Sequence, residues 1–130
     1  KYTKTCDVIV NLLFRWKKMI ETSIEGILMH AKEIKKITSV PASPMERMDI
    51  VRGLFKNDKD FLKVIDLYEM FRKMDELKKE RVGEFRKNVA LRVTYRGELV
   101  NIDLEQLKNY AELLEKFISI TSDFLKQKKK

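Results

Sequence analysis

The chain has 130 residues, 44% hydrophobic and 37% charged, with only four Gly and two Pro, which suits one mostly helical domain with few loops and leaves no room for a second core. One cysteine excludes an intrachain disulfide and a thiolate metal cluster, and no apolar run approaches the roughly 20 residues of a membrane crossing. A net charge of +8 points to anionic partners, or to lysines that only keep the chain in solution.

The first element is a long helix over Thr5–Thr38, with an apolar stripe through Ile9, Leu13, Trp16, Ile20, Ile24, Ile27 and Ala31. At about 34 residues it would be roughly 50 Å long and needs partner helices to cover that stripe. Trp16 is expected to be its largest core anchor. Asp7 suits its first turn, Lys32, Lys35 and Lys36 suit its last, and Pro41 forbids continuation.

Ser39–Pro44 is the clearest break. Ser43 before Pro44, with Glu46 three residues on, reads as a capped helix start, and a short helix follows to about Lys56. Asn57–Asp60 is a polar turn whose Asn57 or Asp58 can cap the next helix. That second long helix, antiparallel to the first, runs from Phe61 through Tyr68, Phe71, Met74 and Leu77. It continues more thinly through Val82, Phe85 and Val89, with Lys78–Arg81 solvated.

Asn88–Ile102 reads two ways. The helix continues to about Tyr95 and ends with Gly97 as its C′ residue, which is the favoured reading. Otherwise Val89–Ile102 forms a small hairpin turning at Arg96-Gly97. A last helix, capped by Asn101 or Asp103, runs from Leu104 to Leu125, and Lys126–Lys130 is a basic tail. The expected fold is a single all-α domain: an antiparallel bundle of three long helices and one short one, with the hairpin near 89–102 as the variant.

No catalytic residue is legible. His30 is the only histidine, and its neighbour Glu33 could relay a proton or help hold a metal. The Glu-x-x-His order of di-iron bundles would need an acid where Ile27 stands, so no metal or cofactor is expected. In size and expected topology the chain resembles the RNA-cutting helical nucleases of the HEPN family. The arginine those nucleases require shortly before the histidine is missing, because Ser23, Ile24 and Glu25 occupy those places. Acid pairs at Asp66/Glu69 and Glu112/Glu115 have the spacing of any exposed helix face. The glycines are isolated, so there is no phosphate loop.

The functional signal is basic. Between Arg72 and Arg96, arginine and lysine outnumber acids, and the candidate nucleic-acid-binding residues are Arg81, Arg86, Lys87, Arg92, Tyr95 and Arg96. Arginine forks onto phosphates, and Tyr95 between two arginines could stack on a base. The expected function is therefore a non-enzymatic basic bundle binding a polyanion, nucleic acid or else an acidic protein, in the cytoplasm and without membrane insertion. The alternatives are an assembly protein acting through helical homodimerisation, and a small RNA-processing or metal-dependent enzyme.

Overall fold

Four helices and a small antiparallel sheet make up the computed structural model, which describes residues 6–83 and 89–128. In chain order these are α1 (Cys6–Glu33), α2 (Pro44–Leu54), α3 (Lys59–Arg72), a 3-10 turn at Met74–Glu76, β1 (Lys78–Val82), β2 (Ala90–Tyr95), β3 (Glu98–Asp103) and α4 (Leu104–Leu125).

The helix starts follow their caps. The Ser43 hydroxyl accepts from the Glu46 amide at 3.5 Å, with Pro44 in the first turn. The carboxylates of Asp58 and Asp103 do the same for Phe61 (3.3 Å) and Gln106 (2.8 Å). Helix α1 ends in a Schellman motif: the Lys36 amide donates to the Ala31 carbonyl at 2.8 Å and the Lys35 amide to Lys32 at 3.1 Å, with Lys35 at φ 65°.

Contacts fix the directions. At one end the Cys6 thiol donates to the Ala90 carbonyl (3.2 Å), and Ala90 pairs across the sheet with Asp103, the cap of α4. At the other end His30 meets the Phe124 ring edge-on at 5.7 Å. So α1 and α4 run parallel. Helix α3 runs against them, because Phe61 near its start meets Phe117 (5.0 Å) and Phe71 near its end meets Tyr110 (6.0 Å). The core centres on Phe61 and Phe117, both fully buried, with Phe55 stacked on Phe61 at 3.9 Å.

The sheet has the order β1-β2-β3, antiparallel throughout. Leu91 and Val93 of β2 and Ile102 of β3 face the bundle and are buried. The β2–β3 loop is two residues long, Arg96 at φ 54° and Gly97 at φ 79°, the twist that a tight hairpin needs.

Three expectations are corrected. The fold is not all-α, because β1, β2 and β3 form a sheet: Ala90–Tyr95 is a strand and not the favoured helix, and the Arg96-Gly97 turn belongs to the hairpin reading. Two consecutive positive φ angles are incompatible with a helix end at Gly97 alone, and β-branched Val93 gains more from cross-strand burial than from a helical turn. Second, α3 stops at Arg72; Met74 and Leu77 keep helical spacing but lie in the 3-10 turn and just beyond it, where Leu77 is already extended (ψ 149°). Third, α1 stops at Glu33, and Trp16 is only half-buried against the core. Phe85 lies outside the described residues.

Candidate nucleic-acid interface

Side chains alternate across a strand, so register decides which basic residues share a face. Glu80, Arg92 and Asn101 are aligned on the outer face of the sheet; Arg81 is aligned with buried Leu91 and Ile102 and belongs to the opposite face. Arg81 pairs with Asp7 of α1, at 2.9 Å. Arg92 is half-buried and lines a cleft of about 380 Å³ together with Asp103 and Glu105.

Arg96, in the hairpin turn, sits with its guanidinium 5.0 Å from the centroid of the Tyr95 ring and 3.5 Å from Glu69. Tyr95 falls on the same face as Leu91 and Val93, and its hydroxyl is buried with no hydrogen-bond partner among the described residues. Only Tyr95 and Arg96 are therefore brought together, whereas Arg81 and Arg92 are on opposite faces. Arg86 and Lys87 lie outside the described residues. Arg81 and Arg96 each pair with an acid from another element, whereas Arg92 only shares its cleft with Asp103 and Glu105. Exposed ion pairs of this kind stabilise little, but each acid lowers the local potential that a phosphate would meet.

The Asp66/Glu69 pair is clamped rather than open. Arg52 of α2 donates to both carboxylates at 2.8 Å. Burial pulls the Arg52 guanidinium down, but the hydrogen bond to Asp66 and the fields of Asp66, Glu69 and Asp49 outweigh it and raise its pKa. His30 is also occupied: its Nε2–H donates to the Gln127 carbonyl at 2.7 Å, and Nδ1 lies 3.7 Å from Glu33. Among the described residues no group of three or more His, Cys, Asp or Glu could hold a metal ion. No helix there is long and apolar enough to cross a membrane.

Sequence pattern alone does not single out the run Phe14-Arg15-Trp16-Lys17-Lys18 in α1. Phe14 is 49% exposed, and the ammonium groups of Lys17 and Lys18 sit 4.9 and 5.1 Å from its ring centroid. Among the described residues Arg15, Lys17 and Lys18 make no ion pair. The signal that could have found it is three cations around an aromatic that breaks the buried stripe. Lys18 also borders a cleft of about 380 Å³ with Glu21, Arg47 and Tyr68. There the Tyr68 hydroxyl donates to Glu21 at 3.0 Å; burial, then that bond, push the phenol well above its ordinary value.

No family model, no curated protein and no solved structure matches this chain.

Proposed function

We propose that the protein is a non-enzymatic binding bundle that takes nucleic acid on the basic, aromatic surface of α1 at Phe14, Arg15, Lys17 and Lys18. One observation carries this reading: Lys17 and Lys18 lie against the exposed Phe14 ring, and they and Arg15 make no ion pair with a carboxylate among the described residues, unlike Arg81 and Arg96. Phosphates draw on such cations through counterion release, and an exposed ring offers a stacking platform to an unpaired base. The net charge of +8 adds long-range attraction. A cytoplasmic location suits the single buried thiol of Cys6. Fluorescence anisotropy against labelled single-stranded RNA and DNA tests the reading. Binding that weakens as salt rises is expected, with Phe14→Ala weakening single strands more than duplex. Absence of binding at about 50 mM salt would overturn it.

A second reading, assembly through a homodimer, has its own support. Leu104, Ile118 and Leu125 are 43%, 50% and 42% exposed on α4, and with Ala111 they recur every seventh residue as an outward ridge. Sedimentation velocity would separate this reading from the first: a dimer that Ile118→Lys dissociates supports it, and a monomer at high concentration removes it.

A further inference from the structure

We propose that α4 pairs antiparallel with α4 of a second copy of this chain, about a two-fold axis at Ala111, with Lys108 facing the partner's Glu115. This rests on the homodimer reading and gives that dimer its direction and register. Leu104 and Ile118, 43% and 50% exposed, stand seven residues to either side of Ala111 on the outward ridge of α4. An antiparallel pair centred on Ala111 therefore sets Leu104 of each copy against the partner's Ile118. The small side chain of Ala111 lets the two backbones approach at the crossing.

Charge selects this arrangement. Lys108 and Glu115 are exposed and flank the ridge on one side, Lys108 between Leu104 and Ala111, Glu115 between Ala111 and Ile118. Neither makes an ion pair among the described residues. The two-fold axis turns this flank of one helix onto the same flank of the other. Lys108, three residues before the axis, then meets the partner's Glu115, four residues after it, and the pair forms twice. A parallel dimer would hold Lys108 and Glu115 about 10 Å apart along the helices. Sliding the antiparallel pair to set Leu104 against the partner's Leu125 would bring Glu115 against its own copy, a like-charge contact. Glu112 lies about 100° around the helix from Ala111, off the seam, with Lys108 and Lys116 four residues to either side. Because both halves of every contact come from one helix, the occupant is a second copy.

Cross-linking reads the register directly. Ala111→Cys and Leu104→Cys are each treated with oxidised glutathione in the full chain; the native Cys6 is buried. Ala111→Cys should give a disulfide-linked dimer, because the axis brings its two copies within reach, about 4.4–6.8 Å between Cα atoms. Leu104→Cys should not, its copies lying about 21 Å apart along the pair. Sedimentation equilibrium then reads the charges. Lys108→Glu and Glu115→Lys should each weaken the dimer about ten-fold, as two weak ion pairs become like-charge contacts, and the two changes together should restore it. Cross-linking through Leu104→Cys as readily as through Ala111→Cys, or a double substitution no tighter than the single ones, would overturn this register and leave a homodimer standing. A wild-type chain that stays monomeric at high concentration would overturn both.

Discussion

Phe61, not Trp16, is the residue on which the core turns. Phe61 is fully buried between Phe55 and Phe117, whereas Trp16 keeps part of its ring in water. Size alone points to Trp16 in the sequence; which side of the α1 stripe faces α3 and α4 decides the matter. Phe61→Ala is expected to cost about 3–5 kcal/mol in denaturant melts, and Trp16→Ala roughly half as much. Tyr68 makes a pH prediction. Its phenol is raised in the folded state, first by burial and then by the bond to Glu21. The stability gained from keeping it neutral is therefore complete below the unfolded value near pH 10 and is lost as pH rises above it. Tyr68→Phe should cost about 1 kcal/mol at pH 7 for the lost hydrogen bond. Above about pH 10 the variant should lose stability less steeply than wild type, by about 1.4 kcal/mol per pH unit. Parallel alkaline slopes for the two chains would contradict this account of Tyr68.

Among the elements, those with local signals were legible. The starts of α2, α3 and α4 are marked by Ser43-Pro44, by Asn57 or Asp58, and by Asn101 or Asp103; the structure picks Asp58 and Asp103 as the caps, bonded to the Phe61 and Gln106 amides. The end of α1 was not, because its left-handed C′ position is held by Lys35 instead of a glycine. Strand β1 was not legible either: Lys78, Lys79, Glu80 and Arg81 are exposed, so the strand carries no apolar alternation and is defined only by its pairing with β2. Lys35→Gly should stabilise the fold by about 0.5–1 kcal/mol by relieving that conformation. Gly97→Ala should destabilise it by about 1 kcal/mol, although open space surrounds the position, because φ is 79° there. Thermal melts of both variants check the pair, and a loss in Lys35→Gly or no loss in Gly97→Ala would contradict the backbone argument.

For the whole molecule, a net charge of +8 counts residues without placing them. The basic run from Arg81 to Arg96 is visible in the sequence, but the hairpin register that splits Arg81 from Arg92, and the acids Asp7 and Glu69 brought in from α1 and α3, depend on tertiary structure. On the α1 surface Arg15, Lys17 and Lys18 make no ion pair among the described residues, although Lys18 shares a cleft with Glu21 and Glu25, and this surface is where the proposed function is placed. The decisive measurement is the salt dependence of single-stranded RNA affinity, compared between two variants. Lys17→Gln with Lys18→Gln should lower affinity and flatten the slope of log affinity against log salt by roughly 1.4, at about 0.7 for each phosphate no longer neutralised. Arg81, Arg92 and Arg96 changed together to Gln should leave that slope within error of wild type. If the arginine variant flattens the slope and the lysine variant does not, the interface lies on the sheet and the assignment to α1 is wrong.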